Sequence, residues 1–140
     1  MSQHRLPVEE FTTPDPITAS LETTIVELNR MMKENGIRHI PVIDQMRVVG
    51  IISDRDLRVA SCLNPVEKSM VCAKDIMVSD PITVSSMSPL DEVAYEMSKR
   101  KIGSVIVNDE NNQFLGIFTA TDALNALIEV VRASPEANAN

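Results

Sequence analysis

The sequence predicts an α/β (α+β) protein made of two βαββα repeats with internal pseudo-two-fold symmetry. Residues 15–44 and 80–109 both begin DPIT, and ten of their thirty aligned positions are identical. A second phrase, GIISDRD from Gly50, recurs as GIFTATD from Gly116. One extra residue in the turn at 110–113 accounts for the change of offset between the two phrases. A duplicated unit explains this pattern, because self-similarity at a fixed spacing marks repeat architectures.

Each repeat is expected to begin with a short strand bounded by proline, at 17–18 and at 82–84. A helix with apolar residues at helical spacing follows. Ser88-Pro89, with Asp91 three residues after Ser88, predicts where the second of these helices starts. The apolar positions of the two helices are Ile25, Leu28, Met31 and Met32, and Leu90, Val93, Ala94 and Met97.

Two β-rich runs and a closing helix complete each repeat. The closing helix of the second repeat carries apolar residues at i, i+3, i+4 and i+7, which is typical of an amphipathic helix. Its stripe consists of Leu124, Leu127, Ile128 and Val131. The β-rich runs are 39–43 and 48–53 in the first repeat, and 104–107 and 114–119 in the second.

The predicted domain organisation is repeat 1 at 1–60, a linker at 61–73, repeat 2 at 74–132 and a disordered polar tail at 133–140. A unit of 55–60 residues buries too little surface to be robust alone. Two related units are therefore expected to bury their apolar faces together.

The composition excludes several classes of function. The net charge of −7 and the scarcity of aromatic residues argue against nucleic-acid binding, which needs a basic patch or a stacking platform. No apolar run approaches the length of about 20 residues that spans a membrane. The N-terminus lacks the apolar core of a signal peptide, so we expect a cytoplasmic protein with reduced thiols at Cys62 and Cys72.

The repeated Ser/Thr-x-x-Asp phrase has a purely structural interpretation. Ser53 with Asp56, and Thr119 with Asp122, each place a hydroxyl residue and an acid three apart at a strand-to-helix junction. That arrangement is typical of a helix capping box. A capping role does not exclude a ligand contact by the same residues.

The ordered set of DPIT, GIRHIPVID, GIISDRD and GIFTATD resembles a tandem pair of cystathionine-β-synthase-type (CBS) domains, the Bateman module. The resemblance extends from about residue 8 to residue 132. It implies a sensor that binds adenosine nucleotides, such as AMP, ADP or ATP, in clefts between the repeats. In this family the aspartate of the phrase accepts hydrogen bonds from ribose hydroxyls, a role that falls on Asp56 and Asp122.

The resemblance assigns further residues to the two clefts. Ser53 and Thr119 would lie near phosphate or ribose, and Arg55 and Thr121 precede the aspartates. An apolar wall would hold the adenine, although the same residues also suit a hydrophobic core. The wall residues are Ile37, Ile40 and Pro41 in copy one, and Ile102, Val105 and Ile106 in copy two. Lining the same clefts would be Ile17 and Thr18, and Ile82 and Thr83.

The copies differ in charge where family members often place cations that face phosphate. Copy one has Arg38 and His39 there, whereas copy two has Gly103 and Ser104. We expect copy one to hold the charged ligand, because charge-assisted hydrogen bonds dominate phosphate binding. Copy two would be weaker or would prefer a less charged adenosyl ligand. The alternative is that Arg38 and His39 only decorate a solvated strand end.

The sequence favours a regulatory protein over an enzyme. No nucleophile–base pair, metal-ligand set or nucleotide fingerprint is present, and His4 and His39 have no obvious catalytic partner. We therefore expect a nucleotide sensor that forms a homodimer and regulates an unknown protein effector in trans. The alternative from another class is a ligand-free dimerisation or scaffold module; a small nucleotide hydrolase is disfavoured.

Overall fold

A computed structural model describes residues 5–134. Within them no helix is both long and apolar enough to cross a bilayer. A short 3₁₀ helix, Val8–Phe11, precedes the first strand. The strands and helices are β1 (Thr13–Pro14), α1 (Ile25–Asn35), β2 (His39–Asp44), β3 (Arg47–Ser53), α2 (Asp54–Ala60), α3 (Pro65–Met70), α4 (Ala73–Ile76), β4 (Val78–Ser79), β5 (Thr83–Ser85), α5 (Leu90–Arg100), β6 (Ser104–Asn108), β7 (Phe114–Thr119) and α6 (Ala120–Ala133).

The chain divides into two compact units that differ from the sequence repeats at their edges. One unit is 15–82, and the other combines the described residues of 1–14 with those of 83–140. Their sheets have the strand orders β2-β3-β4 and β1-β7-β6-β5. The strand that precedes each repeat therefore pairs with the last strand of the other repeat, β1 with β7 and β4 with β3.

The two repeated phrases take part in this strand pairing. Gly116 lies opposite Pro14, and Gly50 lies opposite Ser79. Asp15 and Asp80, which open the DPIT phrases, adopt positive φ angles of 45° and 50° just after β1 and β4. Aspartate tolerates this left-handed conformation better than most residues, which accounts for its repetition at the turn.

Most of the predicted elements are confirmed. The β-rich runs are the hairpins β2–β3 and β6–β7, both antiparallel, and the two amphipathic helices are α1 and α5. The turn between β2 and β3 consists of Gln45 and Met46, both with positive φ. The extra residue of copy two falls in the corresponding turn, where the Asp109 N–H donates to the Gln113 carbonyl at 2.7 Å.

The predicted first strand of copy one is wrong. Residues 17–18 are not in a strand, and only Ala19 bridges Val42 in parallel. Proline has no N–H, so Pro41 removes the donor that would extend this pairing toward Ile17. Copy two has Ile106 at the equivalent position, and there β5 pairs with β6 over three residues.

The predicted start of the second helix is confirmed to within one residue, but Ser88 does not cap it. Helix α5 begins at Leu90, with Pro89 as its N-cap residue and no side-chain hydrogen bond at the cap. The Ser88 carbonyl accepts a hydrogen bond from the Val8 N–H at 2.8 Å, and its own N–H donates to Ser85. The chain is therefore held in non-helical pairing until Pro89.

Each unit has its own hydrophobic core. In the 15–82 unit, α1 buries Ile25, Leu28 and Met32 in a cluster with residues of β2, β3 and α2. In the other unit, Val93 and Met97 of α5 pack in a cluster with Val8 and with residues of β6 and β7. The 61–73 segment, predicted as a linker, contains helix α3. The predicted tail starts at Ala133, which is the last residue of α6, and its residues 135–140 lie outside the described residues.

Helix α6 does not bury the stripe that its sequence suggests. Its one fully buried residue is Ala126, whereas the four residues of the apolar stripe are 45–60% exposed. The small side chains of Ala123 and Ala126 let their face of α6 pack closely against the rest of its unit. The larger apolar side chains are left on the surface.

Candidate functional site

In copy one, the start of β2 lies beside the end of β3. His39 pairs with Ser53 across the hairpin, and the Asp54 N–H donates to the Arg38 carbonyl at 2.8 Å. These contacts bring the cationic pair at 38–39 next to the start of α2.

The Ser53–Asp56 phrase forms a reciprocal capping box at the start of α2. The Asp56 N–H donates to Ser53 Oγ at 3.2 Å. In return, Asp56 Oδ2 accepts from the Ser53 N–H at 2.8 Å and from the Ser53 hydroxyl at 2.9 Å. Asp56 Oδ1 has no hydrogen-bond partner among residues 5–134, so this oxygen is available to a ligand.

Copy two repeats the arrangement. Ser104 pairs with Thr119, and the Ala120 N–H donates to the Gly103 carbonyl at 3.0 Å. Asp122 Oδ2 accepts from the Thr119 N–H at 2.9 Å and from the Thr119 hydroxyl at 3.1 Å. The capping interpretation of the sequence is therefore confirmed in both copies.

Asp122 makes one contact that Asp56 lacks. The hydroxyl of Thr13, in β1, donates toward Asp122 at 3.1 Å from Oδ1 and 3.3 Å from Oδ2. The equivalent position in copy one is Val78, which has no hydroxyl. Sequence reasoning missed Thr13 because it lies 109 residues from Asp122. Aligning 13–14 with 78–79 at the repeat offset was the signal that could have found it.

Two arginines of copy one lie near the start of α2 without an ion-pair partner among the described residues. Arg38 and Arg55 are exposed, and neither forms an ion pair within residues 5–134. Arg58, by contrast, lies 3.6 Å from Asp54, one turn earlier on α2. Free guanidinium groups beside a helix start can contact phosphate without first breaking another pair.

The pKa of His39 is lowered from its ordinary value. Burial of the imidazole is the main cause; Arg38 also lowers the pKa, and Asp54 and Asp56 partly oppose the shift. In the absence of ligand, His39 is therefore more fully neutral near pH 7 than an exposed histidine. A charge interaction between His39 and a phosphate therefore requires a lower pH than one made by an exposed histidine.

The predicted adenine wall divides into buried and accessible residues. Ile40 and Val105 belong to the core clusters, which supports the core interpretation for these two side chains. Pro41 and Ile106 are fully buried but lie in neither cluster, since adjacent strand residues face opposite sides of a sheet. The other predicted wall and cleft residues are accessible to solvent. Ile17, Ile37 and Ile102 are partly buried, and Thr18, Ile82 and Thr83 are exposed.

A cavity of about 310 Å³ is lined in part by Asp56. The other residues that line it are Val59, Ala60, Leu63 and Ile76. Only Asp56 among them is in the predicted site. The cavity thus combines one acceptor group with an apolar wall that the sequence patterns did not single out.

Comparison with known proteins identifies the family. The CBS domain model matches twice, at residues 8–62 and 73–129. The chain belongs to the CBS domain family. Both matches contain one capping-box aspartate, so the two candidate sites are equivalent positions of two CBS domains.

Several CBS-containing proteins resemble the chain. It is 37% identical over 114 residues to inosine-5'-monophosphate dehydrogenase of Korarchaeum cryptofilum, covering 81% of this chain and 23% of that protein. A CBS domain-containing protein of Dictyostelium discoideum is 30% identical, with 91% of this chain and 95% of that protein covered. The chain therefore spans about a quarter of the first relative and nearly all of the second.

Solved CBS structures share the fold. The CBS domain pair of protein MJ0100, in complex with 5'-methylthioadenosine and S-adenosyl-L-methionine, is 30% identical and has a TM-score of 0.77. The match covers 90% of this chain and 98% of that one. The mixed α and β architecture of a CBS pair is thus shown for this chain.

Proposed function

We propose that this CBS pair is a regulatory sensor of adenosyl nucleotides that acts on a protein partner in trans. The observation that carries the proposal is Asp56, which lines an apolar cavity and whose Oδ1 has no hydrogen-bond partner within residues 5–134. Arg38 and Arg55, near the start of α2, are exposed and form no ion pair within the same residues. A carboxylate oxygen suits a vicinal ribose diol, which offers two hydroxyl donors. The arginines suit the phosphates.

The ligand class is supported by the MJ0100 relative, whose CBS pair holds two adenosyl compounds. In the proposal the ribose hydroxyls donate to Asp56 in copy one and to Asp122 in copy two. Arg38 and Arg55, with Ser53 and the start of α2, hold the phosphates of AMP, ADP or ATP. Copy two has Gly103 and Thr121 in place of these arginines, so we assign it a less charged adenosyl ligand or weaker nucleotide binding.

The apolar stripe of α6 favours a homodimer as the working form. Leu124 and Leu127 are more than half exposed, and Ile128 and Val131 continue the same stripe. An exposed, contiguous apolar surface on a helix is typical of an interaction site. The second candidate function, a dimerisation scaffold without ligand, rests on this same surface.

Ligand titration distinguishes the two functions. Calorimetry and thermal unfolding would be measured with AMP, ADP, ATP, S-adenosylmethionine and 5'-methylthioadenosine, on the wild-type chain and on an Asp56→Asn/Asp122→Asn double variant. A sensor shows binding and a raised melting temperature in the wild type that the double variant loses. If millimolar concentrations of all five leave the wild type unchanged, the scaffold function replaces the sensor.

A further inference from the structure

The two ribose-binding candidates differ in how many acceptor positions remain open. An ionised carboxylate accepts about four hydrogen bonds through its two oxygens. Asp56 uses two of them, both on Oδ2, for its capping box. Asp122 likewise uses two acceptor positions on Oδ2 for its own capping box. It also accepts from the Thr13 hydroxyl, which lies near both of its oxygens.

A vicinal diol needs two acceptor positions to bind through both hydroxyls. Asp56 has both available, whereas Asp122 has about one left beside the Thr13 hydroxyl. A ribose that engages Asp122 through both hydroxyls must displace the Thr13 hydrogen bond. The displaced hydroxyl then has to find another acceptor.

We infer that Thr13 is a specificity-determining residue that weakens ribose-diol recognition at Asp122, while Val78 leaves Asp56 open. This inference rests on the proposed function. Both residues occupy the same register, Thr13 opposite Ile117 and Val78 opposite Ile51. Ile117 and Ile51 each precede the hydroxyl residue of their capping box by two positions. At this position the two copies therefore differ by one group, a hydroxyl in Thr13 and a methyl in Val78.

The position of Thr13 is well defined. Gly116, opposite Pro14, allows β1 to approach β7 closely, and a Cβ there would overlap the Thr13 carbonyl. Backbone pairing fixes the main chain of β1, and the rotamers of threonine are few. Val78 is 56% exposed, so a hydroxyl introduced there meets little steric resistance.

The test exchanges the two side chains in the full-length protein. Copy two is isolated by Asp56→Asn and compared with and without Thr13→Val, and copy one is isolated by Asp122→Asn and compared with and without Val78→Thr. The probes are AMP, 2'-deoxy-AMP and 3'-deoxy-AMP, with affinities from calorimetry. Thr13→Ser is the control that keeps the hydroxyl, and melting temperatures report folding.

Thr13→Val is expected to tighten AMP binding roughly 3–10-fold, the size of one exchanged hydrogen bond, and to change the deoxy-AMP affinities less than about 2-fold. Val78→Thr is expected to weaken AMP binding at Asp56 by a similar factor. Thr13→Ser should bind as the wild type does. Because Val78→Thr tests the same contact in the other unit, the inference stays testable if Thr13→Val fails to fold.

Two outcomes overturn the inference while leaving the proposed function intact. One is AMP binding that depends on Asp56 and Asp122 but is unchanged by both exchanges. The other is weaker AMP binding in Thr13→Val, which would make Thr13 a ligand contact. If no protein in the series binds AMP at millimolar concentration, the inference fails. The proposed function fails with it only if the other four compounds of the ligand titration also do not bind.

Discussion

The backbone carbonyl of Thr13 occupies the space in which residue 116 would carry a side chain. A Cβ at Gly116 would also lie 3.0 Å from the Pro14 Cα and 3.0 Å from the Thr12 Cγ2. Glycine is therefore required for β1 to pair with β7. The equivalent Gly50 faces mainly the side chain of Met77, with its Cγ at 2.8 Å from the same hypothetical Cβ.

Gly116→Ala is expected to destabilise the protein more than Gly50→Ala. The alanine methyl at 116 meets backbone that cannot move without losing β1, which costs about 1–3 kcal/mol. At 50 the flexible Met77 can change rotamer and absorb part of the overlap. Urea unfolding gives both free energies. Equal losses would show that Met77 is held as rigidly as the β1 backbone.

Asp56→Asn separates the capping role of Asp56 from its ligand role. The asparagine oxygen can keep the bond from the Ser53 N–H, so the free energy of unfolding should change by less than about 1 kcal/mol. The amide has lost the charge and one acceptor oxygen, so AMP affinity should fall about 10–100-fold. The control, Ser53→Ala, removes the cap and should cost about 1 kcal/mol of stability. Unaltered AMP affinity in Asp56→Asn would reduce Asp56 to a helix cap.

Arg38→Gln is expected to weaken ATP binding about 10-fold while adenosine affinity stays within about 2-fold. Arg38 is exposed and unpaired within the described residues, so its charge can act on phosphate. The matched control is Arg30→Gln, because Arg30 already pairs with Glu27 and Glu34 on α1. Calorimetry at several salt concentrations should also show a shallower salt dependence for Arg38→Gln. Equal effects of the two variants would place the phosphate away from Arg38.

His39 makes stability depend on pH on the acidic side of neutrality. Its pKa is lowered in the folded protein, mainly by burial, so the unfolded chain binds more protons between that pKa and about 6.5. The free energy of unfolding should therefore fall as pH drops from about 6.5 through the lowered pKa. His39→Gln should flatten this dependence.

The measurement is urea unfolding across pH 5–7.5, roughly the range in which histidine titrates, with NMR titration of the two histidines of the chain. The variant leaves His4 as the remaining imidazole signal, which assigns His39 directly. A His39 pKa at or above the unperturbed value would contradict the burial argument. Bound phosphate should raise the His39 pKa, so AMP binding near pH 6 should take up protons.

Leu127→Asp is expected to disrupt self-association. Leu127 is 57% exposed in the apolar stripe of α6, and a carboxylate there would be buried without a partner in a dimer. Analytical ultracentrifugation should show a dimer for the wild type at micromolar concentration and a monomer for the variant. Met46→Asp, at an 87% exposed turn position, is the control and should remain dimeric. A wild type that is monomeric at high concentration would remove the homodimer from the proposal.

The sequence by itself determined the repeat, the two hairpins, helices α1 and α5 and both capping boxes. These features depend on residues close along the chain, whose period and turn chemistry carry the information locally. One local rule failed even here, the N-cap pattern that begins at Ser88. Ser88 does not cap α5: Pro89 is the N-cap residue, and the Ser88 carbonyl accepts from the Val8 N–H outside the helix.

The sequence already distinguished the two candidate sites by charge, but only the tertiary structure decided their other differences. The pairing of β1 with β7 brings Thr13 to Asp122 across 109 residues, and burial lowers the pKa of His39. Packing through Ala126 leaves the α6 stripe exposed. Contacts of this range follow from which strands pair and which faces are covered. A local pattern cannot contain that information, because the same short stretch of sequence is compatible with different neighbours from distant parts of the chain.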